Sequence, residues 1–302
     1  MITTPTVLIL GAGASAHLGY PLGQGLINEI CNCCLTNRIP TEISNTYSQS
    51  MLSEFRIHLS RSGYLSVDAF LEKHPNYNDL GKLLITHCLK QHENEDRLFP
   101  PHNPGWYQYL FQALIVNSPE DLSSIPLTII TFNYDRSLEV FLHQSLIHRY
   151  DLEANKALQH LQKLMIIHPH GIMGKYPEIP YMATLDNIPL SKISSNILIL
   201  HELNEGIEKF CSPAYEEAYN ALQKSQKIYF LGFGFHDENI RRFKFFSKES
   251  LEGKEVLATH QMHSKEREIF LNRISKYGFL PNQFPPGRLD CDLFFRVHGT
   301  LD

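Results

Sequence analysis

Residues Thr6 to Gly23 read T-V-L-I-L-G-A-G-A-S-A-H-L-G-Y-P-L-G, and this stretch decides the fold. Its apolar run, Val7 to Leu10, is too short for a buried helix and is typical of a strand covered on both faces. Gly11 and Gly13 follow at once, and because they lack a Cβ they let the backbone turn sharply and let a phosphate approach closely. The stretch therefore predicts a strand followed by a glycine loop that can hold an anion.

The residues after the glycines leave two interpretations of this loop open. Ala16 fills the third position of a G-x-G-x-x-G/A fingerprint, where a small residue lets the next helix pack on its strand. An ordinary tight strand-to-helix turn fits the same pattern, and Ser15 suits either a helix cap or a phosphate or ribose donor. A dehydrogenase would carry a second strand ending in Asp or Glu about 20 residues later. Residues 26–30 instead show a helical pattern, which disfavours hydride transfer.

The composition is that of an ordinary globular protein, with 302 residues, 43% hydrophobic residues and a formal net charge of -5. No stripe of Lys and Arg is present, so we expect no direct nucleic-acid binding. The first ten residues lack the features of a signal peptide, and no apolar run reaches the roughly 18 residues of a membrane span. We therefore expect a cytoplasmic protein that does not contact a membrane. The Cys-x-x-Cys pair at Cys31 and Cys34 has no second pair, so no structural zinc is expected.

Between residues 23 and 121 the sequence loses strand character and shows apolar residues at helical spacing. Helices are predicted over residues 42–60, from residue 67 with Ser66 as its cap, over 80–89 and over 106–116. We interpret this part as a helical insertion (23–121) packed beside a Rossmann-like core (1–22 and 122–302). The prediction is a single α/β domain over residues 1–302, with a mostly parallel sheet and helices on both faces.

Further apolar runs after the insertion complete the predicted sheet. They cover residues 127–131, 164–167, 196–200, 227–231 and 256–259. Asn133 and Asp135 follow the first of them. Because open α/β sheets bind ligands at the carboxyl ends of their strands, we expect both side chains to face the same crevice as Gly11 and Gly13. A role as turn and cap residues alone is the other interpretation.

Two more strand ends carry candidate functional residues. His170 comes after the run 164–167, and Gly171 lets the chain leave without crowding the imidazole. A histidine there is suited to proton transfer near neutral pH, although a lone histidine is more often structural. Gly232 and Gly234 follow the run 227–231 and precede an acidic cluster that opens a helix. This repeats the pattern of the N-terminal glycine loop.

Four stretches in this order resemble the sirtuin-like family, most closely its bacterial branch that hydrolyses NAD, often in anti-phage defence. They are Gly11-Ala12-Gly13-Ala14-Ser15 with Gly19-Tyr20-Pro21, then Thr131-Phe132-Asn133-Tyr134-Asp135, then His170-Gly171, then Gly232-Phe233-Gly234-Phe235-x-Asp237. The resemblance covers about residues 5 to 260. The segment Ser66-Val67-Asp68-x-Phe70-Leu71 also resembles a helical motif of that branch, with a packing role expected.

The resemblance implies a role for each matched residue. Gly11, Ala12, Gly13 and Ser15 would hold the NAD phosphates and the adjoining ribose. Asn133 and Asp135 would line the nicotinamide-ribose pocket, and His170 would be the general base. Gly232, Phe233 and Gly234 would approach the adenosine side, with Asp237 as a further cofactor-binding residue of that motif. His298-Gly299 repeats the histidine dipeptide, but it lies after the Gly232 motif, whereas the family places its histidine before it.

The departures from the family pattern bear on the activity. Members that remove acyl groups from lysine usually carry Asp-Phe-Arg after the proline, but Leu22 and Gly23 follow Pro21 here. Those members also hold zinc with two Cys-x-x-Cys pairs between the histidine and the next glycine motif, where this chain has only Cys211. Protein deacylation is therefore the less favoured activity.

The expected function is hydrolysis of NAD to nicotinamide and ADP-ribose without a metal. Nicotinamide leaves as a neutral base, and Asn133 and His170 would aim and deprotonate the attacking water or a ribose hydroxyl. The alternatives are an NAD-dependent protein deacylase or ADP-ribosyltransferase, and a non-catalytic sensor of NAD or ADP-ribose. A homo-oligomer or a separate sensor protein is the expected partner.

Overall fold

A computed structural model describes residues 2–102, 105–185, 187–199, 213–235, 240 and 251–301. In these residues five strands form one sheet in the order β3-β2-β1-β4-β5, and every neighbouring pair of strands is parallel. The strands are β1 (Thr6–Leu10), β2 (Leu127–Thr131), β3 (Met165–Ile167), β4 (Lys227–Leu231) and β5 (Glu255–Ala258). The predicted α/β class with a Rossmann-like parallel sheet is confirmed.

Helices cover both faces of this sheet. In the described part of the chain they are α1 (Gly23–Thr36), α2 (Thr41–Thr46), α3 (Gln49–Arg61), α4 (Val67–Lys73), α5 (Asn78–Lys90), α6 (Glu95–Leu98), α7 (Gly105–Leu114), α8 (Ser137–Tyr150), α9 (Ala154–Leu161), α10 (Leu190–Ser194), α11 (Pro213–Lys224), α12 (Ser264–Ile274) and α13 (Cys291–Val297). None of those that the structure describes combines the length and apolar character needed to cross a membrane.

The central strand β1 shows why both faces are covered. Its side chains alternate, as they do in any strand, so Leu8 and Leu10 point into one hydrophobic core and Val7 and Ile9 into another. All four are buried. The first core includes helices of the region 23–121, and the second includes α11 and α12. A continuous apolar run is therefore required of this strand, as its sequence predicted.

The region 23–121 is helical, and its helices begin close to where the sequence predicted. Ser66 caps α4, because its Oγ accepts a hydrogen bond from the backbone N–H of Ala69 at 3.2 Å. The helix predicted over residues 42–60 is two helices, α2 and α3. They are separated at Tyr47, and the Ser48 side chain caps the second by accepting from Met51.

Buried polar contacts join this region to the sheet. Arg136, at the start of α8, is fully buried and donates from Nε and Nη2 to Oε1 of Glu93, at 2.9 and 2.8 Å. Trp106 of α7 donates from Nε1 to the carbonyl oxygen of Ala14 in the glycine loop, at 2.8 Å. These contacts hold the helical region against both the β2 and the β1 strand ends.

The strand predicted over residues 196–200 is wrong for its described part, 196–199. Ile197 makes only an isolated antiparallel bridge with Gly171, and the segment does not join the five-stranded sheet. Ile197 and Ile199 are buried in the core as loop residues. The apolar character of this run therefore reflects burial beneath the turn after β3, where Leu198 N donates to the carbonyl oxygen of His170 at 2.9 Å.

Candidate functional site

A cavity of about 830 Å³ opens at the carboxyl ends of the strands. This volume lies within the range of about 300–1,000 Å³ that is usual for small-molecule sites. The sequence-predicted site residues that the structure describes all line it, namely Gly11, Ala12, Gly13, Ser15, Asn133, Asp135, His170, Gly232, Phe233 and Gly234. Asp237 lies outside the described residues.

The two glycine loops, after β1 and after β4, pack directly against each other. Gly13 N donates to Gly232 O at 3.0 Å, and Gly11 N donates to Leu231 O at 3.0 Å. A Cβ on Gly13 would lie 2.7 Å from the Cα of Gly232. Gly232 has φ 59, and a Cβ there would lie 2.1 Å from Ala14 N. The close approach of the two loops therefore requires glycine at these positions, whether or not a ligand binds there.

The loop after β1 also differs from a tight strand-to-helix turn, which was one of the two interpretations of its sequence. It forms two short 3-10 turns, Ala12–Ala14 and Ala16–Leu18, and the first α-helix begins only at Gly23. Ala14 N donates to Gly11 O at 2.8 Å and Ser15 N to Ala12 O at 3.3 Å. These N–H groups already donate within the fold. The phosphate contacts that the fingerprint implies therefore stay a prediction.

Asn133 joins the β2 strand end to the glycine loop. Its Nδ2 donates to Gly11 O and to Ser15 Oγ, each at 3.0 Å. A backbone carbonyl oxygen can only accept, so the contact with Gly11 fixes which way the amide points. Both Nδ2 hydrogens are then used, and any further hydrogen bond of this side chain is accepted by Oδ1.

Asp135 continues this network below the cavity. Ser15 Oγ donates to Asp135 Oδ2 at 2.8 Å, while Ser137 donates to Oδ1 from its hydroxyl and, at 3.2 Å, from its backbone N–H. Asp135 thus accepts from the first backbone N–H of α8, as the cap interpretation expected, although Arg136 and not Asp135 holds the N-cap position. Burial raises the pKa of the Asp135 carboxyl, and the hydrogen bonds from Ser137 and Ser15 oppose that rise. Asp135 is only 7% exposed, which favours an anchoring role.

His170 lies between the cavity and helix α11. Its Nε2 is 2.9 Å from the hydroxyl oxygen of Tyr215, and its ring meets the Phe132 ring edge-on, with centroids 4.9 Å apart. Gly171 has φ 74, and a Cβ there would lie 1.8 Å from Asn196 O. Only glycine therefore allows the chain to turn beneath the imidazole as it does.

The two histidines of His168-Pro169-His170 have different surroundings. His168 Nε2 lies 2.6 Å from Glu139 Oε1, and its Nδ1 lies 3.3 Å from Asn133 O. Burial lowers the pKa of His168, but the charge and hydrogen bond of Glu139 outweigh burial and leave that pKa raised. His168 therefore forms an ion pair that supports the loop, whereas His170 faces the cavity. His298 ends α13 and does not line the cavity.

Several cavity contacts were not predicted. Asp68 of α4 lines the cavity, and its Oδ1 accepts a hydrogen bond from the Tyr134 hydroxyl. Thr259, after β5, also lines it and accepts from Gly232 N at 2.7 Å. The sequence motif that begins at Ser66 includes Asp68, but the role predicted for that motif was packing. The contact of Tyr215 with His170 could not be predicted from sequence spacing, because the two residues are 45 positions apart.

Among the described residues, no group of three or more His, Cys, Asp or Glu side chains is arranged to hold a metal ion.

Comparison with known proteins identifies the family. The model of the SIR2-like domain matches residues 127–279, which is half of the chain and runs from β2 into the C-terminal part. The matched segment contains Asn133, His170 and Gly232, and a SIR2-like domain indicates a function that involves NAD. No curated protein matches the chain. The chain belongs to the SIR2-like family.

Proposed function

We propose that this chain hydrolyses NAD to nicotinamide and ADP-ribose in the cavity at the carboxyl end of the sheet. One observation carries the proposal: Asn133 and His170, which follow the adjacent strands β2 and β3, line a single cavity with both glycine loops. A dinucleotide has two ends, and Gly232 and Thr259 line this cavity as well as Asn133 and His170. The SIR2-like match supports NAD as the substrate.

The chemistry requires little beyond orientation and charge stabilisation. Nicotinamide is positively charged in NAD and leaves as a neutral base when the bond from C1′ to its ring nitrogen breaks. Positive charge then develops on the ribose, and water supplies the new oxygen at C1′. The Asn133 amide, fixed by Gly11 and Ser15, accepts a hydrogen bond from water or from a ribose hydroxyl through Oδ1.

His170 accepts the proton that water or the ribose hydroxyl loses. Such a positioned base typically contributes about 10²–10⁴-fold to the rate. Asp135 is assigned a supporting role, because its carboxylate is held by Ser15 and Ser137 and orders the loop that carries Asn133. Ser15 also belongs to this support, as it accepts from Asn133 and donates to Asp135.

Two features of the sequence favour hydrolysis over deacylation. Leu22 and Gly23 replace the Asp-Phe-Arg of deacylating members, and the segment between Gly171 and Lys227 has only Cys211 where those members have paired cysteines. The resemblance to the bacterial NAD-hydrolysing branch extends the proposal to a cytoplasmic, metal-independent effector of anti-phage defence. Homo-oligomerisation or a separate partner protein would control such an enzyme, because constant activity would drain the NAD of the cell.

The test is a chromatogram of NAD incubated with the purified chain over a range of protein concentrations, so that assembly is varied in the same experiment. Equal amounts of nicotinamide and ADP-ribose, without added peptide, support the proposal. Nicotinamide release that depends on an acylated peptide contradicts it and indicates a deacylase. Tight NAD binding without product at every concentration also contradicts it and indicates a sensor.

A further inference from the structure

We infer that Tyr215 is a positioning residue that fixes the orientation and the tautomer of His170. The inference rests on the proposed function, since it concerns the base of that reaction. Tyr215 is on the first turn of α11 and is 3% exposed. It does not line the cavity, so it acts from behind the imidazole.

Side-chain and backbone contacts together hold His170 in place. The Tyr215 hydroxyl lies 2.9 Å from Nε2, and the Phe132 ring packs edge-on at 86° to the imidazole. Leu198, which packs against Tyr215, donates its N–H to the carbonyl oxygen of His170 at 2.9 Å. The backbone and the ring of His170 are therefore held by neighbouring parts of one small cluster.

The hydrogen bond at Nε2 limits how His170 can act as a base. Because Nε2 pairs with Tyr215, His170 takes the proton of the reaction at its other ring nitrogen, Nδ1. The neutral ring then carries its proton on Nε2 before the reaction, and Nε2–H donates to the Tyr215 oxygen. When Nδ1 gains the second proton the ring becomes positively charged, and a charge-assisted hydrogen bond is about twice as strong as a neutral one. Tyr215 thus stabilises the protonated base that the reaction forms.

Tyr215→Phe tests this role, because it removes the hydroxyl and keeps the buried ring. We expect kcat to fall about tenfold, a part of the total contribution of the base, with KM within about twofold of the parent. The acid limb of the kcat/KM profile is expected to move to lower pH, since the protonated ring loses an acceptor. A merely structural role would leave that limb in place.

The matched control is Tyr150→Phe, which removes a hydroxyl that donates to Val116 O at 2.8 Å, away from the cavity. We expect its kcat and pH profile to equal those of the parent. If Tyr215→Phe also keeps the parent kcat and acid limb while His170→Ala is inactive, the positioning role is wrong and the proposed function stands. If His170→Ala keeps the parent rate, the proposed function itself fails.

A measurement on the unmutated protein tests the tautomer without activity. In long-range nitrogen–proton spectra of protein labelled with ¹⁵N-histidine, His170 is expected to show the Nε2–H tautomer at neutral pH. Observation of the Nδ1–H tautomer would overturn the inference, whether or not the Tyr215→Phe variant folds.

Discussion

The side-chain Nδ2 of Asn133 lies 3.0 Å from the backbone carbonyl oxygen of Gly11, although the two residues are 122 positions apart in sequence. This contact ties the end of β2 to the loop after β1. Because Nδ2 also donates to Ser15 of the same loop, one amide holds that loop at two points.

Replacing Asn133 by Asp should therefore damage the fold as well as the site. The carboxylate has the same shape but no N–H, and it would face the oxygen of Gly11. We expect a loss of about 2–3 kcal/mol in the free energy of unfolding, because two hydrogen bonds are lost and the carboxylate faces the Gly11 oxygen. Urea denaturation measures it. The exposed Asn220→Asp on α11 is the control, and equal stability of the two variants would contradict the proposed anchoring.

The packing of the glycine loops predicts a second effect. Gly232→Ala places a Cβ 2.1 Å from Ala14 N at φ 59, whereas Gly253→Ala, at φ 76, meets nothing within 4 Å. Both variants bear the left-handed backbone cost of about 1–2 kcal/mol. Only Gly232→Ala adds overpacking, so we expect it to lose about 2–5 kcal/mol in total. Thermal unfolding of both proteins checks this, and similar losses would show that the loops do not need their close approach.

The alternation of apolar and polar stretches was enough to predict the sheet, because β1 and the four later strands are mostly apolar. The same criterion wrongly predicted a strand over residues 196–199. Burial alone makes a segment apolar, and Ile197 is buried in a loop. The break between α2 and α3 was also missed, since both helices continue one apolar pattern across Tyr47.

The candidate site was predictable in part. The strand-end residues Asn133, His170 and Gly232 were found because the carboxyl ends of parallel strands share one edge. Contacts such as Tyr215 with His170 and Tyr134 with Asp68 join distant segments, and their pairing depends on the fold rather than on spacing. Sequence spacing also could not show that Gly13 and Gly232 contact each other.

The buried pair of Arg136 and Glu93 gives a third prediction. Glu93→Gln leaves the guanidinium, which has no exposed surface, without its charge partner. Breaking a buried ion pair by removing one partner costs about 3–5 kcal/mol, and we expect a loss of that size in urea denaturation. The exposed pair Lys175 and Glu178, at 3.7 Å, supplies the control Glu178→Gln. Similar stability of the two variants would mean that the helical region does not depend on this contact.

The ion pair between His168 and Glu139 predicts a pH dependence. Glu139 outweighs burial and raises the pKa of His168 in the folded protein. The pair therefore stabilises the fold fully below about pH 6.5, the usual value for an unfolded histidine. That stabilisation is lost as the pH rises through the raised folded-state pKa.

Glu139→Gln should accordingly lose about 1.5–3 kcal/mol at pH 6, as for a hydrogen bond to a charged group. Its difference from the parent should narrow at pH 9, measured by urea denaturation at each pH. Glu120→Gln is the control. The Glu120 side chain is exposed and lies 3.9 Å from His160, so its loss should change the stability little at either pH. A difference between Glu139→Gln and the parent that stays constant from pH 6 to 9 would contradict the ion pair.

The central claim is that His170 is the base of an NAD-hydrolysing site, and the most direct measurement is the rate of nicotinamide release by His170→Ala. His298→Ala is the matched control, because His298-Gly299 repeats the dipeptide but does not line the cavity. We expect His170→Ala to release nicotinamide at least about 10²-fold more slowly than the parent, while keeping its fold by circular dichroism, and His298→Ala to match the parent. Parent-like release by a folded His170→Ala protein would contradict the account.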